Sequence, residues 1–273
     1  MSSTPDVRRT ASRAADSKPL ELLTRGGFIG YGVLHLLFAW LALQVALGDS
    51  SGETDQSGAL KTLSQQPTGE LLVIGIIIGM VAMAVWQAFE AVIGVSGPQD
   101  RTAVFERVIS GCRTVLYLYF AYLGYKVVSG ANASQSQSQQ SSASSMMDSD
   151  GGRFLVGLAG VVVAAVGVGL VIYGLTTKFQ KHLNTGRMSP SVRRTVRRLG
   201  MAGYASKGVA YGIAGALIVS AAVNYDPQQA GGLDAALKTL AGTAWGPWLL
   251  GLITLGIACF GVYCFFQAKY RKV

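Results

Sequence analysis

Runs of about twenty uncharged, mostly apolar residues recur along the whole chain, and very few folds can hold them. A bilayer core of ~30 Å is crossed by ~20 apolar residues of helix, whereas a soluble domain has nowhere to bury so many such segments. Six runs are read as transmembrane helices, over 27–47, 71–93, 108–128, 154–175, 201–223 and 248–268. The third is the least clean. Arg113 lies inside it beside five aromatic residues, Tyr117, Tyr119, Phe120, Tyr122 and Tyr125. A long cation near a helix end can reach the interface, so Arg113 does not veto the span. Charged residues make up only 14% of the sequence, well below the roughly 25% of a soluble domain.

The net charge of +9 would point to nucleic acid on a soluble domain, but its distribution points to a membrane. With six spans and an inside N-terminus, 19 of the 23 Lys and Arg residues fall in cytoplasmic segments. The external loops keep only Lys61, Lys126, Arg153 and Lys238. Positive residues favour the cytoplasmic side, which predicts a multi-pass protein of the cytoplasmic membrane with both termini inside. The partners expected are the bilayer, with anionic lipid at its cytoplasmic face, and an envelope protein; nucleic acid is not expected.

The chain also repeats itself. Ala59-Leu60-Lys61-Thr62-Leu63 returns as Ala236-Leu237-Lys238-Thr239-Leu240 at a shift of 177, with Gly69 on Gly246 and Phe89 on Phe266. In the odd spans a shift of 176 places Gly27 on Gly203 and Gly32 on Gly208. A middle copy aligns at a shift of 94, with Arg113 on Lys207, Tyr117 on Tyr211 and Gly152 on Gly246. The reading is an all-α membrane protein of three parallel two-helix repeats, at 21–97, 98–182 and 183–273, after a disordered basic tail at 1–20. Because each unit crosses twice, the copies share one orientation, and a pseudo-threefold ring about the membrane normal is the simplest geometry.

The repeated Ala-Leu-Lys-Thr-Leu stretches, the run from Leu199-Gly200 to Lys207-Gly208-Val209-Ala210-Tyr211, and Trp86-Gln87-Ala88-Phe89-Glu90-Ala91 resemble the bacterial membrane family known as domain of unknown function 1206. The resemblance covers roughly 22–272. It implies the three-copy membrane architecture and no catalytic role. The middle copy departs from the pattern, since the Ser/Gln tract within 130–150 has no Ala-Leu-Lys-Thr-Leu element. That tract reads as a flexible external loop. The segments around Leu60 and Leu237 suit short amphipathic helices on the outer surface, or ordered loops.

Three groups of residues are candidates for function or packing. His35 lies about eight residues into the first span, and an ionisable group at such depth usually faces protein. Its repeat equivalents are Tyr117 and Tyr211, so the three form either a polar intramembrane layer around a shared ligand or a packing layer of neutral aromatic rings. Glu90 ends the second span where Arg113 and Lys207 begin the third and fifth, which suggests an ion pair, or else interfacial charges. Gly75, Gly79, Gly208 and Gly212 are read as helix-packing sites, because small residues let helices approach where no hydrophobic effect acts between them. Cys112, Cys259 and Cys264 lack metal-ligand spacing and read as free, packed thiols. Neither a cofactor nor a metal site is expected. Phosphate-loop, dinucleotide and zinc-protease motifs are absent, and an enzyme is the weakest class. An accessory or interaction protein of the envelope is ranked first. A small-solute or lipid transporter with a site between the repeats is the alternative.

Overall fold

Apolar sequence with good helix formers and few internal breakers becomes helix almost throughout. A computed structural model describes residues 18–48, 52–93 and 101–272. It contains nine α-helices among those residues: α1 Lys18–Ala46, α2 Gln56–Ser64, α3 Gly69–Ile93, α4 Arg101–Val128, α5 Gln135–Met147, α6 Asp150–Leu175, α7 Pro190–Asn224, α8 Gly232–Ala241 and α9 Gly246–Tyr270. Their starts follow capping chemistry. Ser149 accepts from the Gly152 N–H before α6, and Ser189 precedes Pro190 at the first turn of α7, where a missing N–H costs nothing.

Five of these helices are long and apolar enough to cross a membrane: α1, α3, α6, α7 and α9. Helix α4 has the length, 28 residues, but Arg101, Glu106, Arg107 and Arg113 dilute its apolar character. Large apolar side chains such as Ile29, Leu71, Leu155, Val162, Leu252 and Leu255 are exposed on the outside of the bundle, as a lipid-facing surface requires. The tail placed at 1–20 lies outside the described residues up to position 17, and its last three residues, from Lys18, are already helical.

Helix α1 packs between α3 and α9, α3 also holds α4, and α7 packs between α6 and α9. Consecutive helices α4 and α6 make no extended contact among the described residues. The contacts are tightened by glycine. A Cβ on Gly32 would stand 2.8 Å from the Gly261 carbonyl, and one on Gly167 would stand 2.6 Å from the Gly208 carbonyl. Gly79 packs just as closely on Gly27. The packing expected at Gly75 is not made: it faces outward with nothing near its Cβ position. Gly212 contributes its backbone, which meets Gly167.

At one end of the bundle the three two-helix units are joined by a lid of short helices. Helices α2 and α8 carry the repeated Ala-Leu-Lys-Thr-Leu segments, and Ala59, Leu60, Ala236 and Leu237 are fully buried. The repeat therefore encodes an apolar docking face. The Ser/Gln tract, expected to be a flexible loop, is helix α5. Ser134 caps it by accepting from the Gln137 N–H at 3.1 Å. Ser138, Ser142 and Ser145 return their hydroxyls to carbonyls three or four residues back, and Ala143 and Met147 are buried. Docking of that small apolar face overrides a composition that lacks helix-favouring apolar residues.

The lid is tied in all three directions. The Thr54 N–H donates to Asp234 at 2.7 Å, the Gln135 N–H donates to Ser57 at 3.1 Å, and the Gln140 amide donates to the Gln228 carbonyl at 2.9 Å. Gly69, Gly152 and Gly246 open the helices that follow the lid segments. In each case a carbonyl, of Leu63, Met146 or Leu240, fills the space a Cβ would need. At the opposite end, Arg25 donates to the Ala268 and Lys269 carbonyls at the end of α9, a favourable place for a cation. The linker after α6 joins the same end, since Lys272 N–H donates to the His182 carbonyl.

A basic, tyrosine-lined centre as candidate functional site

Lys207 is held at the middle of the bundle by groups that carry no charge. Its Nζ lies 3.1 Å from His35 Nε2, 3.3 Å from the Tyr31 hydroxyl and 3.9 Å from the Phe260 ring centroid. His35 Nδ1 is 2.8 Å from the Tyr31 carbonyl, which can only accept. The proton therefore sits on Nδ1, and the Nε2 lone pair faces the ammonium. Tyr31 and His35 meet edge to face at 4.3 Å between ring centres, and Tyr31 meets Tyr117 at 5.9 Å. Tyr211 is half-buried and lies in the electrostatic reach of Tyr31. Of the three residues aligned from sequence, His35 and Tyr117 thus meet at Tyr31, which stands at the repeat position of Arg113 and Lys207.

Nearer the end that carries the linker, a second group gathers around two arginines. Arg113 on α4 and Arg271 after α9 both act on Glu90, Tyr117, Tyr204 and His182. Arg271 is only 5% exposed, with its guanidinium carbon 5.0 Å from the ring centres of Phe28 and of Trp86. Its Nε and the Tyr263 hydroxyl are buried without a hydrogen-bond partner among the described residues. The ion pair expected for Glu90 is not formed. The ion pairs among the described residues are Arg25–Glu21, Lys181–Glu106 and Lys238–Asp234. Glu90 instead has the Ser110 hydroxyl in reach and shares the fields of both arginines. Lys207 is turned away to His35, because the α7 position that carries it faces α1 and α9.

His182, in the linker, is held down to about 3 by burial and then by the charges of Arg271 and Arg113, with Lys181 and Lys272 adding. It is neutral near pH 7, and its Nδ1 meets the Tyr173 hydroxyl at 3.2 Å. Tyr173, Tyr204, Phe179 and Tyr263 continue as one set of ring contacts between 5.0 and 6.3 Å. Sequence reading missed Arg271, counted only as a terminal cation, and the roles of Tyr204, Phe260 and Tyr263. The aromatic density of 260–270 was the available signal. Of the cysteines, Cys264 is buried, Cys259 half-buried and Cys112 exposed, so the expected packing fails for Cys112. Two surface hollows lie near the lid, one against Glu53, Lys61 and Asn132 and one against Arg153 and Val219. Neither holds a candidate residue.

These features define an all-helical protein of membrane-type helices built on an internal repeat, with buried polar groups both in the bundle and in the lid. The chain belongs to the family described as Domain of Unknown Function (DUF1206), which matches three times, at residues 26–94, 110–177 and 202–271. It is also similar to the uncharacterized protein YxxB of Bacillus subtilis (strain 168), at 26% identity over 260 residues covering 94% of each chain. No solved structure matches.

Proposed function

We propose that the protein is a six-span protein of the cytoplasmic membrane, arranged as a pseudo-threefold ring, that holds an anionic ligand at its centre. This places the solute or lipid carrier reading ahead of a purely accessory role. The observation that carries it is Lys207, a cation in the bundle core whose close partners are a neutral imidazole, a phenol and a ring face. A charge kept in such a place without a carboxylate is costly and marks a ligand or ion path.

The ring is supported by its glycine contacts. The pair Gly32 and Gly261 at α1 and α9 stands where Gly208 and Gly167 stand at α7 and α6, at shifts of 176 and 94. In that ring α4 is the remaining span, its Arg113 drawn toward the centre. Cytoplasmic termini follow from the cation distribution, with the lid outside.

Reporter fusions at residue 140 and at Val273 test the topology, and finding both on one side would overturn it. A high-resolution density map of the natively purified protein tests the role. A bound molecule beside Lys207 or Arg113 supports the anionic-site reading, and a closed, empty centre returns the protein to the accessory class. That second reading has its own support in the wide apolar face of α6.

A further inference from the structure

We infer that the arginine cluster receives the phosphate of an anionic membrane lipid, which enters sideways between α4 and α6. The inference rests on the anionic-site reading and adds the ligand class and its route.

The cluster carries an excess of donors. Arg113 and Arg271 face the one carboxylate of Glu90, Lys181 is paired with Glu106, Lys272 adds a further cation and His182 is neutral, so the cluster is net positive. A buried charge without a partner and a buried donor left unpaired are both costly. Two such donors lie in this region, the Arg271 Nε and the Tyr263 hydroxyl, each on a residue at least nine-tenths buried. Guanidinium groups present a planar fork that fits phosphate oxygens, and stacking by Phe28 and Trp86 fixes the plane of Arg271. That net positive charge suits the negative charge of a phosphodiester.

The route follows from what is closed. The lid is hydrogen-bonded in all three directions at one end. At the other end the linker seats Phe179 and Leu183, each 1% exposed, against the helices, and the Leu183 backbone pairs with Arg271. Between α4 and α6 no extended contact exists among the described residues. Arg113 and Tyr173 lie within electrostatic reach of one another across that seam, and the linker bridges to α4 through Lys181 and Glu106. Tyr204, Lys207 and Tyr211 stay half-buried on α7 although they face the middle. The outer surfaces of both helices are apolar, with Val115, Leu118, Val162 and Val166 exposed. A headgroup held at the arginines therefore leaves its acyl chains along a surface that already suits lipid.

The test uses the full chain purified in a neutral detergent, read by native mass spectrometry and by thermal shift. The probes are phosphatidylglycerol, phosphatidylcholine and inorganic phosphate. We expect phosphatidylglycerol to bind at least about tenfold more tightly than phosphatidylcholine, and Arg113→Gln to remove that preference while the exposed Arg194→Gln keeps it. Gly169 lies one turn before Tyr173 with nothing near its Cβ position, so Gly169→Trp has room for its Cβ, should melt like the native protein, and should block the lipid. Equal binding of both lipids, or wild-type binding by Arg113→Gln, would overturn the phosphate site. Lipid binding that survives Gly169→Trp would overturn the lateral route. Binding of inorganic phosphate without the lipid defeats the inference and leaves the anionic-site reading standing. Binding of neither defeats both.

Discussion

Lys207 Nζ stands 3.1 Å from His35 Nε2, and the other nitrogen of that ring is committed to the Tyr31 carbonyl 2.8 Å away. One imidazole thus joins a backbone carbonyl of α1 to a cation on α7. Replacing His35 by Leu leaves the ammonium with only the Tyr31 hydroxyl as acceptor, a loss of about 1.5–3 kcal/mol for a hydrogen bond to a charged group. Lys207→Met removes the charge that needs an acceptor. We expect His35→Leu to lower the melting temperature in detergent strongly with Lys207 present and weakly beside Lys207→Met. Additive effects of the two changes would show that the contact carries no coupling.

Gly167 and Gly75 separate the packing glycines from the outward ones. Gly167→Ile drives a side chain into the Gly208 carbonyl and the Gly212 backbone, whereas Gly75→Ile points into open space. Overpacking of this kind costs about 1–3 kcal/mol or more. Gly167→Ile should unfold at lower temperature or fail to accumulate, and Gly75→Ile should melt like the native protein. A native-like melt for Gly167→Ile would refute the close approach of α6 and α7.

His182 makes stability depend on pH in a defined window. Its value of about 3 in the folded chain lies below the 6.5 of a free histidine, so between these values the unfolded chain takes up the extra proton. Its contribution is complete above pH 6.5 and is lost as pH falls toward 3. Melting curves recorded across that window should fall more steeply for the native protein than for His182→Gln. Parallel curves would place His182 in solvent.

Asp55 anchors the lid. Its carboxylate accepts from the Ser57 and Gly58 N–H groups and from the Ser57 hydroxyl, and that hydroxyl in turn accepts from the Gln135 N–H. Asp55→Ala should cost about 1 kcal/mol as a lost N-cap, with faster amide exchange spreading to α5, while Asp55→Asn retains most of the cap. Exchange confined to α2 would mean that the lid helices loosen independently.

Apolar length and repetition made the long helices and the three matched copies legible, because both are properties of local sequence. The helix at Gln135–Met147 was not legible, since its stability comes from docking onto α6 and the rest of the lid rather than from its own composition. The direction of Lys207 was hidden for a related reason. Alignment placed it level with Arg113 and Tyr31, but the reach of a four-carbon side chain toward α1 or toward Glu90 is decided by the packing of α7. Arg271 escaped notice because a cation three residues from the end of a chain reads as solvent-exposed, and only the rings of Phe28 and Trp86 draw it inward.

The lid fixes where this molecule can change shape. Each unit contributes one segment to it, and each segment is hydrogen-bonded to the other two, so the helices are fastened together at that end like the arms of a pair of tongs at their pivot. Relative motion there would break several bonds at once. Among the described residues the seam between α4 and α6 has no such fastening along its length, so widening the bundle parts the middle unit's own two helices, α4 moving with α3 and α6 with α7.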